Sequence, residues 1–172
     1  NQVLRVSETL AAELKSSGAK DAFSRKEAQA YLRASHALGC LAFDQERYDD
    51  ALSDLERVYS VDQGPVGTEA RLIAAAAQLK LKKPADAVPI LKVAAEAEVG
   101  AGRALMSLAL AQFASGDKEA AQTSLQKALD ANAHFGTALI NRGGGLPSNL
   151  GTAAAGSREE AQGYAQTFGD TW

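Results

Sequence analysis

The chain has 172 residues, 46% of them hydrophobic but only 6% aromatic, and a net charge of −3. That length suits one domain with a real core, and an excess of alanine and leucine over β-branched residues favours helix throughout. The charge is too slight to imply a partner class, and no basic stripe interleaved with aromatics offers a nucleic-acid surface.

No apolar run approaches the roughly 18–20 residues of a membrane span, so membrane insertion is not expected. No charged-then-apolar signal segment opens the chain. It starts at Asn1 instead of methionine, as a trimmed chain would. The single cysteine, Cys40, excludes an internal disulfide and fits a cytoplasmic protein.

The first predicted element is an amphipathic helix over Val3–Lys15, with Val3, Leu4, Leu10, Ala11 and Leu14 on one side, ended by Ser17-Gly18. A second helix starts near Ser24, where Ser24 and Glu27 form a capping box, and runs to Phe43. After a turn at Asp44–Arg47, Tyr48–Val61 is helical, and Gly64-Pro65 breaks the chain. Thr68–Leu81 is the next helix. Pro84 marks the start region of its partner, and a start near Asp86 would place Pro89 in the first turn; a shortened or kinked helix is expected, because proline deeper inside would cost about 3 kcal/mol. Arg103–Ala114 and Lys118–Ala131 then flank Ser115-Gly116-Asp117. Beyond Phe135, Thr137–Arg142 reads as a short helix, Gly143–Pro147 as loop, and Ser157–Phe168 as a last helix with a capping box of Ser157 and Glu160.

Three of these stretches repeat one pattern: Leu38–Val58, Ala74–Ala94 and Leu108–Ala128. Ala51, Ala87 and Ala121 fall in register, 36 and then 34 residues apart, as do Leu55, Leu91 and Leu125. A period of about 34 with two helices per unit marks an α-solenoid. Two helix axes approach closely only where side chains are small. Gly39, Ala75 and Ala109 supply the small residues of the three first helices, and the aligned alanines face them. Val58, Ala94 and Ala128 are placed to pack on the following repeat.

This small–large order resembles the tetratricopeptide repeat family over Ala30–Arg142. The strongest strings are Leu38-Gly39 with Arg47-Tyr48-Asp49-Asp50-Ala51, and Gly116-Asp117 with Gln126-Lys127-Ala128-Leu129. The proline that often closes a repeat of this family is replaced by Gln63, Val99 and Ala133. The implied fold is an all-α, α-α superhelix. Its expected organisation is an N-terminal helix and the start of a capping helix at 1–29, three repeats (32–65, 68–101 and 102–135) with a short following helix at 30–142, and a Gly-rich loop with a C-terminal helix at 143–172.

The resemblance implies that the first helix of each repeat lines a concave groove. Mapped here, the outer row is Arg33, Glu69 and Arg103, and the next is His36, Leu72 and Met106. Cys40, Ala76 and Leu110 lie deeper, followed by Phe43, Leu79 and Phe113, with Leu79 and Phe113 also readable as inter-repeat core. An apolar floor edged by mixed charge suits a helix or peptide with spaced hydrophobic anchors. The family's carboxylate clamp for acidic chaperone tails is absent, because His36, Cys40, Leu72, Met106 and Leu110 stand at its positions. The N-terminal helix, or the tail with Leu146, Leu150 and Trp172, is a candidate to fill the groove or to dock on a second copy.

No catalytic constellation emerges. His36 and Cys40 lie four apart on one helix, but nothing completes a nucleophile or a metal site around them. Gly143-Gly144-Gly145 lacks the strand, spacing and lysine of a phosphate loop. The expectation is a non-catalytic interaction module with no cofactor and no metal. The alternatives are a chaperone for a hydrophobic segment, similar to the type III secretion translocator chaperones, a self-assembling scaffold, or the non-catalytic part of a larger protein.

Overall fold

A computed structural model of the chain describes residues 26–97, 101–136 and 156–168. The predicted helix over 3–15, the Ser24–Glu27 capping box, the helix at 137–142 and the glycine loop that follows it lie outside these residues. All described elements are helices: α1 Lys26–Asp44, α2 Tyr48–Tyr59, α3 Pro65–Lys80, α4 Pro84–Ala95, α5 Ala101–Ala114, α6 Lys118–Ala131 and α7 Arg158–Phe168. From α1 to α6 each helix packs on the next, and the first helices of successive hairpins (α1 with α3, α3 with α5) also touch. The result is an α-α superhelix of three hairpins.

The three hairpin turns are the same structure made from different residues. In the first, the amide of Arg47 donates to the carbonyl of Ala42 and that of Glu46 to Phe43. In the second, Lys83 donates to Gln78 and Lys82 to Leu79; in the third, Asp117 donates to Gln112 and Gly116 to Phe113. This is the Schellman closure of a helix, which needs a left-handed residue after the C-cap. Glu46 (φ 59°), Lys82 (φ 61°) and Gly116 (φ 93°) occupy that place. Only the third turn uses the residue without a Cβ penalty. Glu46→Gly and Lys82→Gly are therefore expected each to stabilise the chain by about 1 kcal/mol, measured as a higher urea midpoint at unchanged slope. Gly116→Ala should lose a similar amount.

Interior packing follows the register. Gly39, Ala75 and Ala109 are buried, as are Ala51, Ala87 and Ala121. A Cβ on Gly39 would lie 2.6 Å from Leu55 Cγ, which is why the first hairpin carries glycine where the others carry alanine. Val58, Ala94 and Ala128 are sealed at each junction. Two apolar clusters result, one around Leu55 and Val58 between the first two repeats, the other around Leu72, Leu91 and Phe135.

One polar position breaks the symmetry. In the third hairpin the buried Ser124 hydroxyl donates to Gln112 Oε1 at 2.7 Å. The second hairpin has Ile90 where the third has Ser124, and its Gln78 Oε1 is buried with no hydrogen-bond partner. A buried unpaired acceptor costs about 1–3 kcal/mol. Gln78→Leu is therefore expected to raise stability by about 1 kcal/mol, and Gln112→Leu, which strands Ser124, to lower it; paired urea titrations decide.

Two boundaries differ from expectation. Helix α3 begins at Pro65, three residues before Thr68, because the Asp62 carboxylate accepts from the amides of Gly64 (2.8 Å) and Gly67 (2.6 Å) and so caps the helix start. Helix α4 begins at Pro84 and runs through Pro89 to Ala95, with the same 12 residues as α2. It is not shortened. Pro84 takes the first-turn position, and the Pro89 ring is exposed.

The first helix presents an open end face. Ala34, Leu38 and Leu41 stand in register with Ala70, Ala74 and Ala77, and with Ala104, Leu108 and Ala111. The later six are buried, whereas Leu38 and Leu41 are 54% and 49% exposed.

Candidate partner-binding groove

The twelve residues of the predicted groove fall on α1, α3 and α5, but the face they form differs from one repeat to the next. On α1, Arg33 is exposed, and His36, Cys40 and Phe43 are half-buried. On α3, Glu69 and Leu79 are half-buried, while Leu72 and Ala76 are core. On α5, Arg103, Met106 and Leu110 are buried and Phe113 is 63% exposed. The expected continuous apolar strip with a charged rim is thus corrected in three places. Leu72 and Met106 are each 1% exposed and belong to the core. Arg103 is no rim charge. Phe113 is not inter-repeat core, although Leu79 does pack against it.

The positions 103, 106, 107 and 110 share one helix face by their spacing, and α7 meets that face at two points one turn apart. Glu160 stands beside Arg103 (Oε1 to Nε, 3.9 Å) and the Tyr164 hydroxyl hydrogen-bonds the Ser107 hydroxyl at 3.0 Å. The Tyr164 ring meets Phe135 edge-on, centroids 5.5 Å apart, and Ala161, Tyr164 and Ala165 join the cluster that holds Leu72 and Met106. Ser157 caps α7 as predicted, its hydroxyl accepting from the Glu160 amide at 3.0 Å. The Glu160 carboxylate turns away from the Ser157 amide and accepts from Gly156 N (2.8 Å) and Asn132 Nδ2 (2.9 Å), which ties α7 to the end of α6. The residues foreseen as a groove plug, Leu146, Leu150 and Trp172, lie outside the described residues.

A line of charge crosses the groove from Glu69 to Arg103 Nη1 (3.1 Å) and on to Glu160. Glu69 also faces the α1 wall, where it acts on both His36 and Cys40. Burial lowers the His36 pKa from 6.5, and Glu69 partly offsets this. Burial first, then Glu69 and Asp44, push the Cys40 thiol up from 9.0 to about 11. The Cys40 sulfur lies 3.8 and 3.9 Å from the two ring nitrogens of His36. A thiol held protonated beside an imidazole held neutral is the reverse of an activated nucleophile. Among the described residues no three histidine, cysteine or acidic side chains converge as metal ligands.

The thiol gives a pH prediction. Alkylation of Cys40 in the native chain should climb about tenfold per pH unit from pH 8 to 10 without levelling, whereas the urea-unfolded chain should level off above about pH 9. A Cys40 rate that levels at the same pH in both states would contradict the assigned environment. The sign for stability follows: this thiol's contribution is intact below 9.0 and is lost as the pH rises toward about 11. His36 acts oppositely, contributing stability above 6.5 that is lost on acidification.

The structure defines a class: a solenoid of helical hairpins whose first helices form a common face. Two family models, both described as tetratricopeptide repeat, match residues 36–102 and 102–135. The chain belongs to the tetratricopeptide repeat family, whose members are generally protein–protein interaction modules and typically non-catalytic. No curated protein and no solved structure matches it. Among the described residues no helix is long and apolar enough to cross a membrane.

Proposed function

We propose that the chain is a non-catalytic module that binds a peptide or helix with hydrophobic anchors along the first-repeat wall of its groove. The docking wall is Arg33, His36, Cys40 and Phe43, with Glu69 and Leu79 alongside. The carrying observation is the contrast in burial. The α5 part of the face is filled from within, while the α1 part stays half-open and is lined by a neutral imidazole, a neutral thiol and a phenyl ring. Uncharged, polarizable side chains suit an apolar anchor, and the exposed Arg33 with half-buried Glu69 sets orientation more than affinity. A lone thiol such as Cys40 fits a cytoplasmic setting.

Selection of a displayed library of roughly 12-residue peptides on the full chain tests this, the length being what a helix needs to span three turns. Enriched peptides should carry apolar residues at helical spacing and slow the alkylation of Cys40. They should bind the Cys40→Asp variant at least about tenfold more weakly, the scale of one lost buried anchor. Enriched peptides that leave Cys40 alkylation unchanged, while Cys40→Asp keeps its thermal midpoint and their affinity, would sink the proposal.

A further inference from the structure

Arg103 is buried, yet its Nε has no hydrogen-bond partner. The nearest acceptor on α7, Glu160 Oε1, stands 3.9 Å away, beyond hydrogen-bonding distance. The same carboxylate is pulled toward the start of its own helix, where Oε2 accepts from Gly156 N and Asn132 Nδ2. Glu69 already holds Arg103 Nη1 at 3.1 Å, so the one unmet group is Nε, which Glu160 fails to reach because it also caps α7. A carboxylate free of the capping task closes on a guanidinium to about 2.7–2.9 Å and takes two of its N–H groups at once. One turn along, the Ser107 and Tyr164 hydroxyls share a hydrogen bond, and the Phe135 and Tyr164 rings meet edge to face.

We propose that α7 is a displaceable internal ligand, and that the Arg103–Ser107 face accepts a helix of another protein that carries a carboxylate and an aromatic ring one turn apart. In the resting chain α7 occupies that face in cis. A partner helix of the same pattern, with its carboxylate unshared, satisfies Arg103 more fully and displaces α7. This rests on the reading of the first-helix face as a docking surface and adds a second subsite, 60 to 74 residues along the chain from the α1 wall. The α1 wall selects apolar anchors; the α5 face selects an acid and a ring.

The test uses a fluorescein-labelled peptide of residues 156–168 titrated into the full-length chain. The expected result is weak binding to the parent, because the tethered helix competes at an effective concentration in the millimolar range. Binding to the Glu160→Lys/Tyr164→Ser chain should be at least about tenfold tighter, since that competition is removed. Adding Arg103→Glu to the double variant should abolish binding, whereas adding Lys92→Glu, exposed on α4 and outside the groove, should not. Equal affinity for parent and double variant would overturn the proposal. So would loss of the cooperative thermal transition in the double variant, which would make α7 an obligate part of the solenoid. The readout lies at Arg103, and the library experiment reads Cys40, so failure of one leaves the other distinguishable.

Discussion

Gly67→Ala is expected to destabilise the chain by about 3 kcal/mol or more. Gly67 sits in the first turn of α3, where a Cβ would run into the backbone carbonyl of Asp62, and backbone yields only by moving the turn. That turn is also where Asp62 caps α3 through Gly64 and Gly67. The buried Arg71 ties it down further, donating to the carbonyls of Tyr59 (2.7 Å) and Asp62 (3.3 Å) and to Gln63 Oε1 (2.8 Å), with its guanidinium 5.3 Å from the centre of the Tyr59 ring. A methyl group at Gly67 therefore loosens the cap, the arginine clamp and the angle between the first two repeats together. Gly136→Ala is the control: among the described residues its Cβ would meet only Leu129, at 3.8 Å, an ordinary contact, and a change within about 0.5 kcal/mol is expected. Urea titration of both variants separates the outcomes.

The second large effect is graded by register. Leu55, Leu91 and Leu125 occupy the same repeat position, but the first two are fully buried and the third only partly. Leu55→Ala and Leu91→Ala should each cost about 2–5 kcal/mol, the sum of lost transfer energy and the cavity left behind. Leu125→Ala should cost clearly less, because its surroundings are open enough to rehydrate. Equal losses at all three positions would mean that α6 is covered more completely than its exposure indicates.

The hairpins were legible in the sequence because their cause is local and repeated. Small residues at Gly39/Ala51, Ala75/Ala87 and Ala109/Ala121 mark each close helix approach, and Lys118–Ala131 was bounded correctly by Asp117, whose side chain caps it. The start of α3 was misplaced because its N-cap is Gly64 and its first turn is held by Asp62, a residue outside the helix that accepts from Gly67. Pro84 marked the start region correctly, but Pro89 was read as a sign of shortening or kinking, and the helix keeps the 12-residue length of α2.

The groove was less legible, since part of its α5 face packs on a segment 57 residues further along, where Ser107 meets Tyr164. One signal was present. Glu160, Ala161, Tyr164 and Ala165 follow helical spacing behind a predicted capping box, which marks a helix with one face to bury. Nothing in the sequence indicated that the face would be buried along α5.

The two halves of the groove carry separate chemical reporters. Cys40 is the chain's only cysteine and Met106 its only methionine. Peroxide oxidation of Met106, read by mass spectrometry, tests most directly whether the chain fills its own third-repeat face, because thioether oxidation follows exposure. The native chain should oxidise at least about tenfold more slowly than the urea-unfolded chain, and Tyr164→Ala should remove most of that protection while the repeats still melt cooperatively. Met106 oxidising as fast in the native chain as in the unfolded one, or staying protected in Tyr164→Ala, would contradict it.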